Sequence, residues 1–206
     1  MKLTITTFLT VDGVMQAPGG ADEDRSGGFD QGGWVAPHFD ADTGAFMNSV
    51  FERTEAFLLG RGTYEIFAGY WPNVTDPGDP IAGKLNAMPK YVASTTLDRV
   101  DWEGSSLLEG DVVQAVTELK NVEGGELQVH GSAGLAQTLM EHGLVDEYNL
   151  LTFPVVIGGG KRLFGDSARP TGLRPISQTT TGSGVRIDVW QAAGEPQRAE
   201  ADEIDR

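Results

Sequence analysis

Three glycine-rich segments, each placed after an apolar run, contain the residues that could bind a phosphate. They are "GRGT" at 60–63, "HGSAG" at 130–134 and "GGGK" at 158–161. A strand that ends in such a turn and opens a helix presents unpaired backbone N–H groups at the positive end of the helix dipole, which suits an anion. Three turns together indicate an extended anionic ligand such as a dinucleotide. In the first turn, Arg61 could hold a phosphate through two N–H groups, whereas Thr63 could bind it or cap the helix.

None of these turns matches a common nucleotide-binding motif. The run "GSAGLA" at 131–136 lacks the second glycine of G-x-G-x-x-G, and "GGGKRL" at 158–163 lacks the length and the hydroxyl of a P-loop. Ser132 stands between a predicted strand and a predicted helix, as the serine of a G-x-S-x-G nucleophile elbow does, but His130 replaces the first glycine. We therefore expect neither an ordinary Rossmann domain nor a P-loop, and a serine hydrolase is the third of the alternatives considered.

The composition argues against a metal site, a nucleic-acid partner and membrane contact. The chain has 206 residues, no cysteine and three histidines without paired ligand spacing, so we expect no metal site. Its formal net charge of −15 argues against a nucleic-acid partner and makes each well-placed basic residue informative. A secretory signal and a long apolar run are not evident, which predicts a cytoplasmic protein with no membrane contact.

The order of predicted elements positions the three turns. Strands and helices alternate through the middle of the chain, and paired strands turning at 182–184 end it. This pattern predicts an α/β fold with a mainly parallel sheet and an antiparallel edge. The long loop at 11–40 is typical of a functional lid or a substrate wall. We expect one domain over residues 1–193 and a polar, disordered tail over 194–206.

An ordered set of segments resembles the dihydrofolate reductase-like superfamily, in the branch related to the C-terminal reductase domain of the bifunctional riboflavin-biosynthesis deaminase-reductase. The segments are "TVDG" at 10–13, "LLGRGTYE" at 58–65, "YVAST" at 91–95, "VHGSAGLAQTLMEHGLVDEY" at 129–148 and "PVVIGGGKRLF" at 154–164. The resemblance implies a three-layer fold with a twisted central sheet between helices, and NADPH as the hydride donor. The chain lacks the cysteines of the deaminase domain, so a stand-alone reductase is implied.

The same resemblance assigns roles to individual residues. Arg61 and Thr63 would contact cofactor phosphates, and Gly62 would allow close approach of the backbone. Ser94 and Thr95 would surround the adenosine 2′-phosphate. The cofactor-binding set that the resemblance implies is Gly60, Arg61, Gly62, Thr63, Ser94, Thr95, Gly131, Ser132, Ala133, Gly158, Gly159 and Gly160.

Three carboxylates are candidates for the residue that contacts substrate and supplies a proton. Dihydrofolate reductases use an acidic residue on the helix after the long loop, and Asp40 is the nearest match, with Asp42 close behind. Asp12, near the end of the first strand, is a further candidate. Each of the three could instead be a helix cap or a solvated carboxylate.

The function that these features predict is an NADPH-dependent reductase acting on a small heterocycle of pyrimidine or pterin type. The alternative from another class is a nucleotide- or flavin-binding protein on the same scaffold, without turnover. A homodimer is common in the family that the chain resembles, and we expect a small-molecule substrate as the other partner.

Overall fold

An eight-stranded sheet runs through the computed structural model, which describes residues 1–165 and 168–198. Its spatial order is β4-β3-β2-β5-β1-β6-β8-β7; β1 to β6 run parallel, and β8 and β7 are antiparallel to their neighbours. The strands are β1 Lys2–Thr10, β2 Thr54–Gly60, β3 Lys90–Ala93, β4 Ser105–Leu107, β5 Glu126–His130, β6 Glu147–Phe153, β7 Leu173–Thr180 and β8 Arg186–Ala192. The predicted α/β fold with a C-terminal hairpin is confirmed.

Five α-helices cover the two faces of the sheet. They are α1 Ala41–Arg53, α2 Arg61–Tyr70, α3 Pro80–Ala87, α4 Val112–Asn121 and α5 Ala133–Glu141. Helices α1, α3 and α4 are preceded by aspartates whose side chains accept hydrogen bonds from backbone N–H groups of the first turn. Helices α2 and α5 are preceded by Gly60 and Ser132, which provide no side-chain cap. The first-turn N–H groups of α2 and α5 are therefore left without a capping side chain.

Apolar layers on both faces hold the helices to the sheet. Along β2 the buried side chains alternate: Leu58 joins a cluster with α4 and α5, whereas Phe57 and Leu59 join a cluster with α1, α2 and α3. Central strands that are buried on both faces read as continuous hydrophobic runs, as β2 does. The three-layer arrangement that the resemblance implied is confirmed.

The long loop at 11–40 is folded upon itself. The Trp34 indole N–H donates to the Gln16 backbone oxygen over 3.0 Å, and the Gln16 side-chain amide donates to backbone oxygens of Asp24 and Ser26. Phe29 is buried in a small apolar cluster at the base of the loop. These contacts give the loop a defined conformation.

The ends of the predicted domain lie close to the ends of the sheet, which spans residues 2 to 192. The division into one domain over 1–193 stays a prediction. Of the predicted tail, 194–198 follows β8, whereas 199–206 lies outside the described residues. Across the described ranges, no helix has both the length and the apolar character needed to span a bilayer.

Lys90, the first residue of β3, has a fully buried side chain beside the carboxyl end of α3. Its Nζ donates to the backbone oxygens of Leu85, Asn86 and Met88 over 2.7, 3.3 and 2.8 Å, and lies 4.5 Å from the ring centroid of Trp102. Burial lowers the pKa of Lys90 to about 8. The ammonium group thus satisfies the free carbonyl groups at the carboxyl end of the helix.

Replacement of Lys90 by Met should lower the free energy of unfolding at pH 7 by about 2–3 kcal/mol, because buried carbonyl groups would lose their donor. Urea denaturation measures this change. Arg99→Met is the matched control: Arg99 has an exposed side chain paired with Asp101, and its loss should cost less than about 1 kcal/mol. Equal losses in the two variants would contradict the role given to Lys90.

Candidate functional site

A cavity of about 1390 Å³ opens at the carboxyl ends of the parallel strands. Strand β2 lies between β3 and β5, and the chain leaves β2 toward β3 but leaves β5 toward β6, on the other side. Such a reversal creates a crevice where ligands of open α/β sheets bind. The volume exceeds the roughly 300–1,000 Å³ of a site for one small ligand, so a dinucleotide and a second molecule could share it.

Three of the four predicted cofactor segments line this cavity. They are 60–63, 94–95 and 131–133, which follow β2, β3 and β5. The predicted turn at 60–63 is shorter than expected, because α2 begins at Arg61 directly after Gly60. Arg61 and Gly62 therefore belong to the first turn of the helix. The fourth segment, 158–160, is not part of the cavity lining.

Two hydroxyl groups join the turns after β2 and β5. Thr63 Oγ1 accepts from Ser132 N over 2.9 Å, and Ser132 Oγ accepts from Gly60 N over 3.0 Å. Gly131 and Ser132 both have a left-handed backbone, with φ of 56° and 55°. A Cβ at position 131 would lie 3.1 Å from Thr63 Oγ1, so glycine is needed there for close approach as well as conformation. We call this set the hydroxyl clasp.

The clasp leaves Ser132 without the environment of a nucleophile. Its hydroxyl donates to the His130 backbone oxygen over 3.0 Å rather than to a base. The His130 ring instead packs against Phe51 and Phe57, with centroid distances of 5.2 and 5.8 Å. Since an activated serine needs a base within hydrogen-bond reach, the geometry does not support the serine hydrolase alternative.

Arg61 is oriented by two side chains at the rim of the cavity. Its Nε donates to Glu65 Oε1 over 2.9 Å, and its Nη1 donates to Thr96 Oγ1 over 2.6 Å. Ser94 Oγ accepts from the backbone N–H groups of Thr96 and Leu97. Half of the Arg61 side chain remains exposed. The guanidinium and the hydroxyls after β3 thus form a cluster that could bind a phosphate.

Asp12 and Gly158 are hydrogen-bonded to each other, and neither lines the cavity. Asp12 Oδ1 accepts from Thr10 Oγ1 and Ile157 N over 2.6 and 3.1 Å, and its Oδ2 accepts from Gly158 N over 2.7 Å. The backbone N–H of Gly158, one of the three glycines of the predicted segment 158–160, is thus bound to a carboxylate of the chain itself. A Cβ at position 160 would come within 2.8 Å of Val14 Cγ1, so Gly160 is needed for packing.

Asp40 and Asp42 also lie away from the cavity lining. Asp40 caps α1 through Thr43 N over 2.9 Å and accepts from Ser183 N, in the hairpin turn, over 3.0 Å. The bond from Thr43 N, followed by those from Thr43 Oγ1 and Ser183 N, holds the pKa of Asp40 well below its usual range. Asp42 is exposed in the first turn of α1. Because an ionised carboxylate has no proton to donate, the low pKa of Asp40 does not favour it as the proton donor. The assignment of this role to Asp12, Asp40 or Asp42 stays a prediction.

Other titratable groups line the cavity instead. The loop at 11–40 contributes Asp22, Glu23 and Asp24, and the residue before α4 contributes Asp111. Glu23 Oε2 accepts from Gly19 N and Gly20 N over 2.5 and 3.1 Å. Burial raises the pKa of Glu23.

His130 lies at the end of β5 and is only 8% exposed. Burial lowers the pKa of its imidazole to about 4, so the ring is neutral at physiological pH. Within the described residues its Nε2 has no hydrogen-bond partner.

Comparison with known proteins identifies the family of this chain. The family model of the RibD C-terminal domain matches residues 1–187. The chain belongs to the RibD C-terminal domain family. It is 27% identical over 195 residues to the uncharacterized protein YyaP of Bacillus subtilis strain 168, covering 94% of this chain and 96% of YyaP. The uncharacterized protein YwjB of the same strain is 25% identical over 145 residues, covering 70% and 78%.

Solved structures share the fold of this RibD C-terminal domain. A protein of Shewanella sp. PV-4 named for riboflavin biosynthesis superposes with a TM-score of 0.71 at 21% identity, over 94% of this chain and 99% of its own. A pyrimidine reductase-like protein of Corynebacterium diphtheriae gives 0.59 at 11%, over 94% and 92%. Dihydrofolate reductase of Enterococcus faecalis, complexed with NADP(H) and RAB-propyl, also gives 0.59 at 11%, over 93% and 96%. The dihydrofolate reductase-like fold that the resemblance implied is confirmed.

Sequence reasoning missed several residues of the cavity. Thr96 continues the hydroxyl run of Ser94 and Thr95, and this continuation could have revealed it. Lys161 belongs to the "GGGK" segment but was given no role of its own. Glu23 carried no such signal, because a loop without periodicity does not indicate which side chains point inward. His130 was weighed only as a metal ligand and as part of a nucleophile motif.

Replacement of Asp12 by Asn should lower the free energy of unfolding at pH 7 by about 1–2 kcal/mol, because three hydrogen bonds would lose a charged acceptor. The bond from Thr10, with those from Ile157 and Gly158, lowers the pKa of Asp12 from 3.8 to about 2. The ionised form therefore stabilises the fold above pH 3.8, and this contribution disappears as the pH falls toward 2.

Chemical denaturation of both proteins between pH 7 and pH 3 measures this difference, which should narrow at the acidic end. Asp98→Asn serves as the control, since Asp98 is exposed and should change stability by less than about 0.5 kcal/mol. A constant difference across the pH range would show that the charge of Asp12 contributes nothing.

Proposed function

We propose that this protein is an NADPH-dependent reductase that transfers a hydride to a C=N or C=O carbon of a small heterocycle of pyrimidine or pterin type. The observation that carries the proposal is the pair of uncapped helix ends, α2 and α5, which the hydroxyl clasp holds together at the wall of one large cavity. Membership in the RibD C-terminal domain family supports it, as does the likeness of fold to a dihydrofolate reductase complexed with NADP(H).

Each cofactor group would meet residues of matching chemistry. The 2′-phosphate would be held by the Arg61 guanidinium and the hydroxyls of Ser94, Thr95 and Thr96, because planar guanidinium groups bind phosphate oxygens in pairs. The pyrophosphate would meet the first turns of α2 and α5, where N–H groups and the helix dipole favour an anion. NADPH supplies the hydride when bound.

The reduction also needs a proton for the heteroatom next to the reduced carbon. Glu23 is our candidate for this proton, because it lines the cavity and because burial raises the pKa of its carboxyl group. A carboxyl group with a raised pKa keeps its proton closer to neutral pH. Asp24, its neighbour, is paired with Lys161 at 2.7 Å and is less suited to this role.

Replacement of Arg61 by Ala should weaken NADPH binding by about 10- to 100-fold, as loss of a charge-assisted hydrogen bond of roughly 1.5–3 kcal/mol implies. NADH lacks the 2′-phosphate, so its Kd should change less than about threefold. Titration of tryptophan fluorescence measures both values, with Arg99→Ala as the control. An equal loss for the two nucleotides would assign Arg61 to the pyrophosphate, and equal or absent binding of both by the native chain would reject NADPH as the cofactor.

A nucleotide- or flavin-binding protein without turnover is the second candidate. It is favoured by the positions of Asp12, Asp40 and Asp42, which lie away from the cavity lining. Oxidation of NADPH, followed at 340 nm with a panel of pterins and pyrimidines, separates the two candidates. For a reductase, Glu23→Gln should lower kcat by at least about tenfold while the Kd of NADPH stays within twofold. Retention of ligand with no NADPH oxidation would favour the binding protein.

A homodimer and a cytoplasmic location complete the proposal. Every residue of β7 is exposed, including Leu173 and Ile176, and a sheet edge of this kind is available for contact with a second copy. The location rests on the sequence alone.

A further inference from the structure

Glu65 contacts the proposed phosphate cluster from outside the cavity. Arg61 and three hydroxyl residues after β3 line the cavity, whereas Glu65 is not among the lining residues in the described part of the chain. It lies one turn after Arg61 on α2, where residues four apart are neighbours on the helix surface. Its Oε1 accepts from Arg61 Nε over 2.9 Å. Glu65 therefore acts on a ligand of the cavity through Arg61.

Two hydrogen bonds fix the orientation of the Arg61 guanidinium. Besides the bond to Glu65, its Nη1 donates to Thr96 Oγ1 over 2.6 Å. The Arg61 side chain is half exposed, and an arginine at such a position samples many rotamers unless it is held. Because the two acceptors bind different nitrogens, they restrict rotation of the guanidinium plane. The further N–H groups on Nη1 and Nη2 thus have a fixed direction before a ligand binds.

The hydroxyl groups beside Arg61 offer protons rather than lone pairs. Ser94 Oγ accepts from the backbone N–H groups of Thr96 and Leu97 over 3.1 and 3.0 Å, so both of its lone pairs are used. Thr96 Oγ1 already accepts from Arg61 and keeps its own proton. A cluster made mainly of donors suits a group that has acceptors alone, such as a phosphate dianion. A ribose hydroxyl matches it less well, because it also needs an acceptor for its own proton.

We propose that Glu65 is a positioning residue for nucleotide specificity. By holding Arg61 in place, it directs the remaining guanidinium N–H groups at the ribose phosphate that distinguishes NADPH from NADH. The inference rests on the proposed reductase function, in which Arg61 and the hydroxyls after β3 hold the 2′-phosphate. The Glu65 carboxylate also has an opposite effect, because its negative charge offsets the charge of Arg61 and repels a phosphate. A test must therefore separate its hydrogen bond from its charge.

Glu65→Gln and Glu65→Ala separate the two effects. Both variants lack the carboxylate charge, but glutamine keeps a side-chain oxygen that can accept from Arg61 Nε. Titration of tryptophan fluorescence gives the Kd of NADPH and of NADH for each variant. Glu65→Gln should bind NADPH at least about fivefold more tightly than Glu65→Ala, because ordering a free arginine side chain opposes association. NADH affinity should differ by less than about twofold between them, since NADH lacks the phosphate that Arg61 would bind.

The same two substitutions in an Arg61→Ala background test the route of the effect. Without Arg61 there is no guanidinium for Glu65 to orient, so the two variants should bind NADPH within about twofold of each other. A difference that persists without Arg61 would show that Glu65 acts on the nucleotide in another way, and would contradict the positioning role.

Glu118 provides the matched control on another helix. It is exposed on α4 and accepts from Gln114 Nε2, four residues earlier, over 3.1 Å. Glu118→Gln and Glu118→Ala should give the same Kd for NADPH, because neither Glu118 nor Gln114 lines the cavity. A gap between them as large as that between the Glu65 variants would attribute the effect to helix stability and contradict the inference.

Measurement of the native chain separates the two possible failures. Equal affinities for NADPH and NADH, or no binding of either, would reject NADPH as the cofactor and the inference with it. If the native chain prefers NADPH, equal NADPH affinities in Glu65→Gln and Glu65→Ala, or an equal difference for both nucleotides, would overturn the positioning role alone. The reductase proposal would stand in that case.

Discussion

The hydroxyl clasp between Thr63 and Ser132 is the contact on which the geometry of the cavity depends. Backbone pairing between β2 and β5 ends at Phe57 and Gln128, before either strand reaches its turn. Beyond that point the sheet no longer fixes the distance between the two turns. The bonds from Ser132 N to Thr63 and from Gly60 N to Ser132 take over, and they hold the starts of α2 and α5 next to each other.

Several aspartate side chains accept hydrogen bonds from backbone N–H groups that the secondary structure leaves unpaired. Asp40, Asp79 and Asp111 cap three helices, and Asp12 fills the glycine turn after β6. Where the chain supplies its own carboxylate, an outside anion has no free N–H groups to bind. Among the helices that begin at the wall of the cavity, α2 and α5 lack such a cap, whereas α4 is capped by Asp111. The absence of a capping side chain therefore leaves the starts of α2 and α5 available to a ligand, unlike the start of α4.

Much of the fold could be predicted because its signals are local. Alternating and apolar runs predicted the strands, and glycine turns after strands predicted where 60–63 and 131–133 would meet. The partnership of Asp12 with Gly158 joins residues far apart in the chain, and no pattern in either segment indicates it. Helix α1 begins directly after Asp40, and this cap engages the carboxylate that the resemblance implied as the catalytic acid. Cavity residues of the long loop could not be predicted, since their orientation depends on tertiary contacts.

The left-handed backbone of Ser132 places two demands on one position. Glycine would adopt this conformation without steric cost and would relax the turn. It would also remove the oxygen that receives Gly60 N and so release the turn after β2. At residue 132, glycine would relieve the backbone strain, whereas serine is needed to fix the spacing of the two helix ends. One residue cannot do both. Selection for a more stable variant of this protein would therefore act against the spacing of the two helix ends at residue 132.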